Sequence, residues 1–211
     1  MDDKKKNSES NFKKGFSRRS FIRGAGLSTA GSVLMTTEAF SFEYEDGFAK
    51  GQEYGPGAMT IQMKVNGKLV TLSVEPRTTL ASALRDHLEL TGTKVVCDRG
   101  SCSACTVYLD GQPVNSCMMS VFDVADKEVT TIEGIAEEGE LHPVQEAFIE
   151  HDASQCGYCT PGMVMSCVHL YENNANPTLE DVKKATRGNL CRCGTYPHVF
   201  KATLAAAKNS K

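Results

Sequence analysis

Cys97-Asp98-Arg99-Gly100-Ser101-Cys102-Ser103-Ala104-Cys105 is the stretch on which the fold of this chain turns. Its thiols stand at C-x4-C-x2-C, and a fourth, Cys117, follows after eleven residues. That spacing is a ligand pattern for a [2Fe-2S] cluster, with three thiolates from one tight loop and the fourth from farther along the chain. Thiolates are soft donors suited to iron–sulfur clusters and to zinc. Zinc more usually shows paired C-x2-C knuckles. Gly100 gives the loop room to curl and to aim N–H groups at sulfur, which stabilises a reduced cluster and tunes its potential.

A second quartet lies downstream: Cys156 and Cys159, thirty-one residues, then Cys191 and Cys193. Eight of the nine cysteines therefore fall into two sets. Spacing alone leaves the second set open between a cluster, a four-thiolate zinc site and a redox dithiol at Cys156-Gly157-Tyr158-Cys159. The dithiol lacks a surrounding βαβ pattern and leaves Cys191 and Cys193 idle.

Working outward from the loop, the preceding segment alternates apolar and polar residues over Met59–Val65 and Lys68–Val74 around Asn66-Gly67. Such a pair between alternating runs predicts a hairpin with a type I′ turn. Thr78 or Thr79 can cap a helix carrying Leu80, Ala81, Leu84 and Leu88 on one face and ending near Thr91-Gly92. After the cysteine loop, Thr106–Leu109 and Gln112–Ser116 flank Asp110-Gly111, a second hairpin, and Glu128–Ile132 makes a last strand. From about residue 140 the period becomes helical. His142-Pro143 can open one helix bearing Val144, Ala147, Phe148 and His151. Thr160-Pro161 can open another bearing Met163, Val164, Cys167, Leu170 and Tyr171. Thr178 can cap a third with Asp181 in its first turn, and Val199, Thr203, Leu204 and Ala207 mark a fourth. The expectation is an α+β chain: a β-grasp, ferredoxin-like domain at 59–135, then an all-α four-helix domain at 140–208, each holding one quartet. Domains this small have thin cores and often need a metal to stabilise them.

The 211 residues carry a net charge of −3, which gives no reason to invoke nucleic acid. The basic residues gather at the N-terminus, where Ser17-Arg18-Arg19-Ser20-Phe21-Ile22-Arg23 resembles a bacterial twin-arginine export signal. Gly24 to Thr37 is uncharged and mildly apolar, too short to span a bilayer of ~30 Å, so no stable membrane insertion is expected. Thr37-Glu38-Ala39 can serve for cleavage. Residues 1–39 then read as a signal for the twin-arginine translocase, residues 40–58 as a Gly-rich linker, and the periplasm as the destination. Export of a folded chain would occupy eight thiols as ligands before they reach an oxidising compartment.

From about residue 59 onward the chain resembles the iron–sulfur (small) subunit of the xanthine oxidase family of molybdenum hydroxylases. The resemblance rests on the Cys97 to Cys117 spacing and on three further strings. These are Leu141-His142-Pro143-Val144-Gln145, Gln155-Cys156-Gly157-Tyr158-Cys159-Thr160-Pro161-Gly162, and Gly188-Asn189-Leu190-Cys191-Arg192-Cys193. Two departures touch no ligand: Ser103 stands where the family usually has glycine, and Gly194-Thr195-Tyr196 replaces Thr-Gly-Tyr. With the twin-arginine leader, the nearest likeness is to periplasmic aldehyde oxidoreductases of three chains, with isoquinoline-type hydroxylases as near relatives.

The resemblance implies a plant-type [2Fe-2S] cluster on Cys97, Cys102, Cys105 and Cys117, and a second on Cys156, Cys159, Cys191 and Cys193. It implies a large molybdenum-pterin subunit and a medium FAD subunit as partners. It places Cys193 toward the pterin and the Gln155 amide in contact with it. Electrons would pass from molybdenum to the second cluster, then the first, then the flavin. Cys167, on an apolar helix face, reads as a core thiol. His87, His151 and His169 lack ligand spacing, and Asp98 and Arg99 read as loop charges. The chain shows no acid–base pair, activated nucleophile or phosphate loop, so no catalytic residue is assigned. The rivals are a zinc-stabilised binding module and a free-standing ferredoxin.

Overall fold

The computed structural model describes residues 54–136 and 139–209, together with Arg19. The expected export signal and most of the linker lie outside these residues; Arg19 itself is helical and exposed. The described residues from 54 onward form one compact unit.

The first hairpin pairs β1 (Met59–Val65) with β2 (Lys68–Val74), Val65 opposite Lys68 and Met59 opposite Val74. Its turn has positive φ at both central residues, 48° at Asn66 and 76° at Gly67, as a type I′ turn requires. Ile61, Met63 and Val65 alternate inward with Leu72 and Val74. The second hairpin, β3 (Thr106–Leu109) with β4 (Gln112–Asn115), turns at Asp110 and Gly111, again both at positive φ. Strand β5 (Glu128–Thr130) lies between the hairpins, parallel to β1 and antiparallel to β3. The order β2-β1-β5-β3-β4 makes one mixed sheet.

The helix expected after Thr79 forms differently. Thr79 caps it, its Oγ1 accepting from Ser82 N–H at 3.2 Å. Only Leu80–Ser82 (α1) is α-helical; Ala83–His87 widens into a π turn, with Leu88 N–H bonded to Ala83 O. The wider turn still buries Leu80, Ala81, Ala83 and Leu84. It leaves Leu88 only half-buried and ends the helix before Glu89, whose φ is 58°. Strands β4 and β5 also stop short of expectation, because 3₁₀ turns take over at Ser116–Met118 and Ile132–Gly134.

Four helices follow: α2 (Pro143–Glu150), α3 (Thr160–Asn173), α4 (Leu179–Thr186) and α5 (Tyr196–Asn209). His142 and Gln145 cap α2 reciprocally, as Thr178 and Asp181 cap α4, satisfying N–H groups that have no helical partner. Val144, Phe148, Met163, Cys167, Val168, Val199 and Ala202 form the helical core. A separate core lies between the sheet and α1. Tyr108 of β3 belongs to the helical core, not to that of its own sheet, and its buried hydroxyl donates to Met165 O at 2.5 Å. Burial pushes that phenol above its ordinary range, with the Glu172 carboxylate adding to the effect. Sheet and helices are thus held together by a side chain of β3. No helix among the described residues is long and apolar enough to cross a membrane.

Candidate metal centres

The first cysteine loop leaves the π turn and returns into β3. Arg85, on that turn, donates from Nη1 to Thr91 O at 2.9 Å and to Thr93 O at 2.7 Å, fixing the chain just before Cys97. Inside the loop, Asp98, Gly100 and Ser103 all take positive φ, of 51°, 70° and 51°. These left-handed residues turn the backbone inward. Gly100 N–H donates to Cys117 Sγ and Ser101 N–H to Cys97 Sγ, each at 3.3 Å. Ser103 holds a left-handed backbone, a conformation that glycine adopts without steric cost. The 3₁₀ turn after β4 delivers Cys117, and Ala81 of α1 seats against Cys105 and Cys117.

The second site is assembled from two loops. Cys156 and Cys159 precede α3, with Cys159 as its N-cap residue. Cys191 and Cys193 lie between α4 and α5. Thr195 serves Cys191 twice, by hydroxyl contact with Sγ at 3.1 Å and by N–H donation to Sγ at 3.5 Å. Tyr196 OH accepts from Cys191 N–H and donates to Asn189 O.

All nine cysteines are free thiols, and eight of them meet in four pairs: Cys97 with Cys102, Cys105 with Cys117, Cys159 with Cys191, and Cys156 with Cys193. A [2Fe-2S] cluster takes two thiolates on each iron, so two such pairs per site fit it. Four thiolates around one zinc would instead converge on a point. The ninth, Cys167, is buried inside α3, and desolvation pushes its thiol up to about 12 against a hydrogen bond with Thr203.

Local fields differ within the pairs. The Arg99 backbone N–H, with help from Cys102 and Ser101, draws Cys97 down to about 7. Burial raises Cys191, but Thr195 and Cys159 outweigh it and bring it to about 7. Burial lifts Cys117 to about 11 and, with its partner Cys191, lifts Cys159 to about 12. The Cys156 backbone favours the Cys193 thiolate, yet the Cys156 thiol and desolvation leave Cys193 raised. Iron binds the thiolate, so loading would release the protons that the raised thiols retain.

The two loops touch. Leu190 N–H donates to Cys102 O at 3.1 Å, and Asn189 Nδ2 to Ser103 O at 3.2 Å. A cavity of about 500 Å³ between them is lined by Cys97, Cys102, Cys156, Cys159, Cys191 and apolar neighbours including Val96 and Leu190. Cys159 and Cys191 are half-buried or buried, whereas Cys156, Cys193 and Gln155 are exposed. Arg85, Asn189 and Thr195 were not singled out from the sequence. Asn189 lay within a quoted string, but a hydrogen bond to a carbonyl 86 residues away leaves no local pattern.

Two family models match: a 2Fe-2S iron-sulfur cluster binding domain over residues 63–141 and a [2Fe-2S] binding domain over residues 131–204. The aldehyde oxidoreductase iron-sulfur-binding subunit PaoA of Escherichia coli K12 is 39% identical over 171 residues, covering 74% of this chain and 75% of that protein. The nicotine 6-hydroxylase small subunit of Paenarthrobacter nicotinovorans is 44% identical over 146 residues, covering 69% of this chain and 88% of its own length. Among solved structures, quinoline 2-oxidoreductase of Pseudomonas putida 86 matches with a TM-score of 0.66 and 36% identity, over 72% of this chain and 97% of that one. The aldehyde oxidoreductase of Desulfovibrio desulfuricans ATCC 27774 matches at 0.68 and 42%, over 72% of this chain but 17% of its own. The chain belongs to the iron–sulfur subunits of the molybdenum hydroxylases, the xanthine oxidase family, and is an electron-transfer component of such an oxidoreductase.

Proposed function

We propose that Cys97, Cys102, Cys105 and Cys117 hold one [2Fe-2S] cluster, and Cys156, Cys159, Cys191 and Cys193 a second. In this reading the chain relays electrons from a molybdenum-pterin subunit to an FAD subunit of a periplasmic aldehyde oxidoreductase. A [2Fe-2S] cluster, when bound, supplies a one-electron redox centre between partners that exchange electrons in twos.

One arrangement carries the proposal. In the second site Cys156 and Cys193 are exposed next to the exposed Gln155, while Cys159 and Cys191 are the more buried pair and Cys191 follows Leu190, whose N–H bonds to Cys102 O. The exposed side offers the Cys193 sulfur and the Gln155 amide to a pterin held by the large subunit. Gly100, Ser101 and Thr195 N–H groups favour thiolate charge at their sulfurs. Residues 1–39, with Arg18 and Arg19, direct export through the twin-arginine translocase.

The aldehyde assignment draws on the Escherichia coli relatives. The 44% identity to a nicotine 6-hydroxylase subunit favours an N-heterocycle hydroxylase as the second reading. Purification of the native assembly, with identification of its large chains and turnover of an aromatic aldehyde against a pyridine, separates the two. A colourless chain with stoichiometric zinc and no EPR signal on reduction would end the cluster assignment. Lysine at both Arg18 and Arg19 should strand the protein in the cytoplasm; normal export of that variant would refute the leader.

A further inference from the structure

The contact between the cysteine loops is built, and side chains as well as backbone build it. Asn189 is 3% exposed and uses its whole amide. Nδ2 donates to Ser103 O at 3.2 Å, and Oδ1 accepts from Ser166 Oγ of α3 at 2.9 Å. Its backbone is held at both ends, N–H to Thr186 O and O from Tyr196 OH. Ser103 O also accepts from Thr106 Oγ1 at 2.8 Å. Ser103 has φ of 51°, which presents this carbonyl between Cys102 and Cys105 to the second loop.

The same carbonyl meets α3. A Cβ on Gly162 would fall inside the envelope of Ser103 O, and one on Gly188 would lie 3.1 Å from Ser103 Oγ. Gly162 is three residues from Cys159, and Asn189 is two from Cys191. The more buried pair of the second site is therefore referenced to one carbonyl of the first loop from two sides.

We propose that Asn189 and Gly162 are positioning residues that set the separation of the two cluster sites: Gly162 allows the closest approach of α3, and the Asn189 amide holds the loops at that limit. The inference rests on the cluster assignment above and deepens it. Magnetic coupling and electron exchange between two centres both fall steeply with distance, so a loosened clip weakens coupling even while each cluster stays in its own four-thiolate site. Asn189→Asp keeps the size and the acceptor facing Ser166 but replaces the donor with an oxygen against Ser103 O. Those oxygens repel and open the gap.

The test is low-temperature EPR of the dithionite-reduced holo-complex, read for the splitting that two nearby reduced clusters impose on each other. Asn189→Asp should retain both cluster signals and narrow the splitting. Ser166→Ala, which frees the amide to rotate, should narrow it less and serves if the first variant fails to fold. Ser103→Gly, which keeps the carbonyl and suits the left-handed backbone, should leave the splitting unchanged. Two intact signals with wild-type splitting in both Asn189→Asp and Ser166→Ala would overturn the proposal, as would an unsplit wild-type spectrum. A wild-type complex with no reduced-cluster signal would remove the cluster assignment first, and this inference with it.

Discussion

The backbone N–H of Leu190 donates to the carbonyl oxygen of Cys102 across 3.1 Å. Each residue is, or adjoins, a proposed cluster ligand, and the bond uses no side-chain atom. Position 190 can therefore vary in side chain without breaking the link; Leu190 is 57% exposed and lines the cavity between the loops. This main-chain bond joins the loops alongside the Asn189 amide, while the sheet and the helices keep separate cores bridged by Tyr108.

Gly100 illustrates how local backbone tunes a single sulfur. It has φ of 70°, its N–H serves Cys117 Sγ, and an added Cβ would lie 2.9 Å from Met118 Cγ. Gly100→Ala should cost about 1–2 kcal/mol for the left-handed conformation. Met118 is 62% exposed and can yield. The N–H to sulfur contact should lengthen, so the reduced cluster loses stabilisation and the potential of the first centre falls. Thermal melting and a redox titration followed by EPR check this; an unchanged first-centre potential would count against the N–H as a tuning group.

Arg85 depends on the π turn, which aims its guanidinium at Thr91 O and Thr93 O. Hydrogen bonds from a charged donor are worth about 1.5–3 kcal/mol each, and Arg85 is half-exposed, so solvent screening brings the pair toward the low end. Arg85→Met should destabilise the chain by roughly 1.5 kcal/mol in urea unfolding and lower occupancy of the first centre, leaving the second signal intact. Arg85→Lys should recover one carbonyl and part of the loss. Equal loss of both signals would show that Arg85 supports the whole unit, not one loop.

Much of this was legible from local chemistry. Asn66-Gly67 and Asp110-Gly111 demand turns that few other residues make, and cap residues mark helix starts because unpaired N–H groups need acceptors. The regular helix expected to run from Leu80 to near Thr91-Gly92 was not what formed: an α turn at Leu80–Ser82 passes into a π turn that ends at His87. Periodicity reports which side chains face the core, and a π turn continuing from the α turn buries Leu84 as fully as the α turn buries Leu80. The cysteine quartets were visible as spacings. Their division into pairs was not, since Cys156 meets Cys193 and Cys159 meets Cys191 only after α3 and α4 fold back. Tyr108 read as a strand residue of its own sheet because its membership of the helical core depends on α3 packing across β3.

His142 offers a pH dependence remote from the thiols. Its Nδ1 accepts from Val144 N–H at 3.1 Å to cap α2, a role that a protonated Nδ1 cannot fill. Burial lowers its folded-state pKa below the ordinary 6.5, against the Glu172 carboxylate of α3, which pulls the other way; Tyr171 meets the ring edge-on at 5.1 Å. A depressed folded value means the unfolded chain takes up the proton first. The stabilisation is thus complete above about pH 6.5 and is lost as pH falls from there through the folded value. His142→Asn supplies a cap that does not titrate. It should hold stability near neutral pH and flatten the melting temperature between about pH 7 and 5. An identical acid slope in the two proteins would place the titration elsewhere.

Substitution of single cysteines asks whether the two centres stand independently. Cys102→Ser removes one sulfur of the Cys97–Cys102 pair but keeps the carbonyl that accepts from Leu190. The first EPR signal should vanish while the second keeps its line shape and loses its splitting. If both signals disappear, the first loop cannot hold its path without a cluster, and the main-chain link then carries that collapse to Cys191. Cys167→Ser is the matched control, because Cys167 is fully buried in α3 and meets Thr203, not a ligand pair. It should leave iron content and both signals unchanged and lower stability by on the order of 1 kcal/mol, since a buried hydroxyl is desolvated and Thr203 compensates in part. Loss of iron from that variant would mean that the helical core, through the start of α3 at Cys159, sets the geometry of the second site more tightly than its own loop does.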